Sequence, residues 1–174
     1  ANVAEGNAFD ILYKHSYLTS RIFLFIYEAF LHKQPPEASM FAGLMHNIGL
    51  LIQLNSLSKK QDKLSLQDAT TDKLISLDFE EHQHSHQMVG AHFIDIWDLP
   101  FSIYEASLYH HRPDDSNIVH NELVSAVHIS QAYAWRVLSG RSDIKVAPEV
   151  FETINISIEE FEKRLARYMK QQKI

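Results

Sequence analysis

The chain has 174 residues, 45% hydrophobic and 11% aromatic, which most economically makes one domain over residues 1–174 with a sizeable core. A net charge of −6 with histidine neutral excludes a general nucleic-acid or anionic-membrane binder, and the lack of cysteine excludes disulfides and thiolate chemistry and fits a cytoplasmic protein. Few glycines and prolines, no Asn-Gly or Asp-Gly hairpin signal and no apolar run of the roughly 18–20 residues that span a bilayer leave an all-α fold.

Residues 7–32 read as a long apolar helix carrying Phe9, Leu12, Leu18, Ile22 and Ile26, with His15 in its first half. Pro35-Pro36-Glu37 opens a second, buried helix over 37–55, with Phe41, Leu44, Met45, Ile48, Leu51 and Ile52 at three- and four-residue spacing. His46 and Asn47 sit inside that apolar run. Burying either without a partner costs a few kcal/mol, so other polar groups or a metal must face them. Residues 56–79 are the most loop-like stretch, with a short amphipathic piece around Leu64 to Leu77.

A helix over 80–97 contains His86 and the small residues Gly90 and Ala91, and stops at Trp97-Asp98-Leu99-Pro100, because a residue before proline resists the helical region. Trp97 reads there as a core plug rather than a partner-binding corner. The next helix runs from 101 to His110-His111. Another, over 117–139, carries His128 and Gln131 and ends at Ser139-Gly140. After Pro148 comes a short helix, and Ser157-Ile-Glu-Glu160 is a capping box that opens the last one, a solvated amphipathic helix docked on the bundle by Ile158, Phe161, Leu165 and Tyr168.

Histidine is in excess, 11 of 174 residues, and it is both the commonest metal ligand and the usual acid or base near neutral pH. His32, His82, His84, His92 and His120 read as solvated or supporting residues. His15, His46, His86, His110, His111 and His128 come from five different helices, and the interior of a bundle is where facing helices assemble metal sites. Adjacent His110 and His111 point about 100° apart on a regular helix, so both reach one site only if the helix end relaxes.

Met45-His46-Asn47-Ile48-Gly49, with its lead-in from Ser39, resembles the His-Asp-Ile-Gly core of the HD superfamily of metal-dependent phosphohydrolases. Glu80, His86-x-x-Val89-Gly90-Ala91, Trp97-x-Leu99-Pro100 and His110-His111-Arg112-Pro113 are similar to the HDOD branch, the HD-related output domain of bacterial signalling proteins, and Lys14-His15-Ser16 resembles that family's first-histidine segment. The resemblance covers residues 10–139 and implies an HD-domain-like helical bundle. A typical HDOD domain has a further helical segment before this region, so the chain reads as a fragment of a longer bacterial protein.

By that resemblance His15 and His46 match metal-binding histidines, whereas the two acidic positions are amides, Asn47 and Gln131. A neutral amide oxygen supplies a dipole where a hard cation needs charge, and Asn47 cannot serve as a general base. The metal candidates are His15, His46, His86, His110 and His111, a set that tolerates zinc, nickel or copper better than magnesium; the cofactor expected is none, or one transition metal ion such as zinc, nickel or iron. The related cyclic-di-GMP-hydrolysing branch uses further histidines to which His86, His110 and His111 correspond, but Ile11 stands where that branch has a glutamate ligand and Arg112-Pro113-Asp114-Asp115-Ser116 replaces its Gly-Tyr-Pro run.

The reading is a non-catalytic signalling or output module with no catalytic residue, acting on other signalling domains or proteins or sensing a ligand such as a phosphorylated small molecule, without nucleic acid or membrane, and able to form a homodimer. The alternative is a mononuclear metal-dependent phosphohydrolase acting on a nucleotide or other phosphoester. That alternative needs a carboxylate at the metal, and Glu80, Glu81, Asp114 and Asp115 are the substitutes the sequence offers.

Overall fold

A computed structural model describes residues 7–59, 70–79 and 85–172. Its helices are α1 (Ala8–Ala29), α2 (Ala42–Met45), α3 (Ile48–Lys59), α4 (Thr71–Phe79), α5 (His86–Ile96), α6 (Phe101–Tyr109), α7 (Asn121–Ser139), α8 (Glu149–Thr153) and α9 (Ile158–Gln172), with a 3-10 turn at Glu37–Ser39. No strand occurs among the described residues, so the fold is an all-α bundle.

The helix ends follow from local chemistry. Asn7 caps α1 by accepting the Asp10 amide at 3.0 Å, and Ser85 caps α5 through the Met88 amide. α7 stops at Gly140, whose φ of 71° is left-handed and suits a residue without Cβ. The Ser157 hydroxyl accepts the Glu160 amide at the start of α9, which buries Phe161, Leu165 and Met169 on one stripe; Ile158, expected on that stripe, is 44% exposed because it lies in the first turn.

α1 packs along α7, and α5 packs on both α6 and α3. Two apolar clusters result. One gathers Leu18, Ile22, Phe23 and Ile26 of α1 with Ile94, Ile103, Val127 and Phe161; the other gathers Ile11 and Leu12 with Leu50, Leu54, Leu74, Ile75 and Trp135. Each fully buried side chain of this size contributes about 1.5–3 kcal/mol. His15 falls between the two sets on α1, so the polar interior lies where they meet.

Two sequence expectations need correction. The single helix over 37–55 is broken at His46–Asn47: the His46 ring Nδ1 donates to the Gly43 carbonyl at 2.9 Å, and α3 restarts with the Leu50 and Leu51 amides on the Asn47 carbonyl. Phe41 and Leu44 of that stretch are 62% and 37% exposed rather than buried. Within the loop-like stretch, the amphipathic piece expected around Leu64 to Leu77 appears in its described part as α4, which runs on to Phe79 and buries Leu74, Ile75 and Asp78. The expected helix start at 80–84 and the region 60–69 lie outside the described residues.

The close approach of α3 and α5 is set by glycine. A Cβ built on Gly49 would lie 1.8 Å from the His86 carbonyl oxygen and 2.5 Å from the Gly90 nitrogen, both backbone atoms that cannot swing aside. Gly49→Ala is therefore expected to force the helices apart and cost about 3 kcal/mol, the upper end of overpacking penalties, measured as a lowered urea midpoint with unchanged slope.

A candidate His/Asp metal centre

Four donors converge where α4, α5 and the end of α6 meet. One donor atom each from Asp78, His86, His110 and His111 lies within 4.8 Å of the other three. Asp78 Oδ1 is 3.4 Å from His86 Nε2 and 3.4 Å from His111 Nε2, and His86 Nε2 is 3.2 Å from His110 Nε2. A tetrahedral ion bound at about 2.0–2.1 Å sets its ligands about 3.3 Å apart. Three edges of such a tetrahedron are therefore present already.

Hydrogen bonds assign the tautomers. His110 donates from Nδ1 to the Ser107 carbonyl at 2.9 Å, leaving a lone pair on Nε2 that faces His86. His86 must then donate from Nε2. His46 donates from Nδ1 to Gly43, leaving Nε2 bare and buried, and His15 donates from Nε2 to the Gln131 carbonyl at 3.1 Å, leaving Nδ1 bare. His110 and His111 both reach the centre because α6 ends at Tyr109 and the chain turns there.

Asp78 is the charge at the centre. It is 1% exposed, and Asn47 Nδ2 and Trp135 Nε1 each donate to it at 2.7 Å, one on each carboxylate oxygen. Burial alone would raise its pKa, but His111, by charge and hydrogen bond, and then His86 hold it well below the usual carboxylate range. Burial pushes the imidazoles the other way, from 6.5 to about 4 in His15 and His86 and about 3 in His46, with His110 also well below its ordinary value. At neutral pH the centre thus holds a buried anion, Asp78, beside the neutral imidazoles of His86 and His110. An isolated buried charge is costly, and a cation is its natural complement.

The predicted site residues are distributed as follows. His86, His110 and His111 share the centre with Asp78. His46 lies beside it, its ring 5.1 Å from that of His110, and His15 lies one step further, 5.3 Å from His46 and stacked on Trp135 at 3.8 Å. Asn47 Oδ1, and both side-chain amide atoms of Gln131, whose carbonyl meets His15, are buried without partners among the described residues. His128 is a brace: its Nδ1 donates to the His110 carbonyl at 2.6 Å, and its Nε2 accepts the Ala147 amide at 3.1 Å. His120 binds Glu105 away from the centre, and His32 and His92 are exposed.

The carboxylate is not among the expected substitutes. Asp115 is occupied by Asn117 and Arg112, Asp114 is exposed, and Glu80 and Glu81, with His82 and His84, lie outside the described residues. Asp78 had a readable signal, since it stands four residues after Leu74 and three after Ile75, on their buried face. Trp135 likewise follows Gln131 by one helical turn.

Asp78 and His111 also form part of a cleft of about 640 Å³ whose wall includes Arg112, Lys145 and Met88. Asp78 and the three imidazoles of this centre lie between residues 78 and 111, and the family model of the HDOD domain matches residues 3–113.

The chain belongs to the HDOD family.

No curated protein and no solved structure matches it. The HDOD match ends two residues after His111, so Gln131 and Trp135 on α7, which close the polar interior from the other side, lie beyond it.

Proposed function

We propose that this HDOD domain is a non-catalytic bacterial output module whose His/Asp centre holds one transition metal ion, zinc by preference, as a tie between α4, α5 and α6. The observation that carries the reading is the number of protein donors. Catalytic zinc sites leave a position open for water, whereas structural sites are closed by four protein ligands. Asp78, His86, His110 and His111 supply all four, and His86 and His110 are 3% and 0% exposed, out of reach of a substrate. Asn47 and Gln131 in place of the acidic HD positions support the same conclusion. The signal would be passed as a change in helix packing to another signalling domain or protein in the cytoplasm, and the net charge of −6 supports a partner that is neither nucleic acid nor membrane.

A second reading, phosphoester hydrolysis, is favoured by one feature. Asp78 and His111 open on a cleft that also presents Arg112 and Lys145, two cations suited to a phosphate.

Elemental mass spectrometry of untagged protein, purified without added metal, separates these readings. About one equivalent of metal is expected in the natural chain and in His46→Ala, and less than a tenth of that in His110→Ala. Metal lost equally in His46→Ala would move the site to the HD pair. Turnover of bis-p-nitrophenyl phosphate that disappears in His110→Ala would make the domain an enzyme.

A further inference from the structure

The corner where α5 turns into α6 takes no part in the metal centre, and it corrects a sequence expectation. Trp97 does not plug the core; it is 50% exposed, beside Ile96 at 60% and Phe101 at 56%. The exposure has a local cause. The chain turns sharply after α5, with the Asp98 amide on the Asp95 carbonyl and the Leu99 amide on the Ile94 carbonyl, so Leu99 turns toward the core in place of the indole.

The exposed Trp97 and Phe101 each pair with a half-buried ring. Phe93 and Trp97 meet edge to face at 5.7 Å, and Phe101 and Tyr104 stack at 5.5 Å with 15° between their planes. Between α5 and α6 lies a cleft of about 620 Å³ lined by Asp95, Asp98, Leu99, Pro100, Phe101 and Tyr104. Two carboxylates thus share a groove with aromatic faces. The ion pairs that lysine and arginine make among the described residues go elsewhere, to Glu122, Asp115, Glu162, Asp72, Asp143 and Glu160.

We propose that this α5–α6 corner is a docking site for an arginine-bearing segment of a partner protein. Charge complementarity selects the occupant: a groove with two carboxylates and no cation, on a chain of net charge −6, favours a basic segment over an acidic one. The aromatic lining selects arginine over lysine. A planar guanidinium stacks on ring faces while its fork reaches carboxylates, and a compact, strongly hydrated ammonium does neither as well. The flanking Ile96 and Trp97 would take an apolar neighbour of that arginine.

The test is phage panning of a random heptapeptide library on the immobilised full chain, on Trp97→Ala and on the double variant Asp95→Asn with Asp98→Asn. Asparagine tolerates the left-handed backbone at Asp98, where φ is 51°, and circular dichroism establishes that each variant is folded. The natural chain is expected to enrich arginine beside an apolar residue at least about fivefold over input, and a selected peptide is expected to bind each variant about tenfold more weakly. No enrichment, enrichment of acidic or wholly apolar peptides, or equal enrichment on the variants would overturn the proposal. So would a concentration-dependent dimer in sedimentation that Trp97→Ala abolishes, since a second copy would then be the occupant. None of these outcomes depends on the metal centre.

Discussion

Asp78→Ala is expected to empty the metal centre and to cost about 3–5 kcal/mol of folding stability. Two effects combine. The indole N–H of Trp135 and the amide of Asn47, each 2.7 Å from the carboxylate, are left buried without an acceptor, and the only negative charge among four proposed ligands is gone. Asp78→Asn separates them. It keeps the shape and one acceptor oxygen, so the metal is expected to be lost while no more than about half of the stability loss remains. Urea unfolding read beside metal content distinguishes these outcomes. An Asp78→Ala protein that keeps an equivalent of metal and unfolds within about 1 kcal/mol of the natural chain would show that the centre is not built on this carboxylate.

Metal-free protein is expected to unfold as the pH falls from about 6.5 towards 4. His15, His86 and His128 have their pKa values lowered by burial from 6.5 to about 4 and His46 to about 3. Between those values and 6.5 the unfolded chain binds the more protons, so stability is complete above about pH 6.5 and is lost as the pH drops through the window. Each such histidine costs about 2 kcal/mol at pH 5, and four of them reach the order of the whole stability of a domain. Protonated Asp78 would add to the loss only at lower pH, because its pKa lies well below the ordinary carboxylate value. Circular dichroism against pH, with and without one equivalent of zinc, is the measurement. A bound ion competes with protons for imidazole lone pairs and is expected to move the midpoint to lower pH. A chain that stays folded to pH 4 without metal would mean that water reaches these rings.

The helices were legible because their apolar spacing and stop signals are local. Pro100, Gly140 and Ser157 mark ends that depend on neighbours in sequence. The break at His46–Asn47 was not legible, since it rests on a side chain that takes the Gly43 carbonyl, a choice that periodicity does not record. His86, His110 and His111 stood out because histidine is uncommon, whereas the one signal for Asp78, its spacing to Leu74 and Ile75, lay in a stretch rich in other acids and polar residues. Its role appears only when α4 docks and turns Leu74 and Ile75 inward. Trp97 failed in the opposite sense: tryptophan before a proline stop reads as core, but the tight turn spends the inward position on Leu99.

The spacing of the centre along the chain has a topological consequence. Asp78 and His111 bracket one continuous segment containing all of α5 and α6, so an ion held by both would close a covalent-like ring of about 34 residues. A cross-link of that length removes from the unfolded ensemble entropy equivalent to at most about 4 kcal/mol, as a disulfide would, in a chain that has no cysteine to make one. Unlike a disulfide, such a ring would open and close with the free concentration of the ion, so that the tether of α4 would be a reversible one.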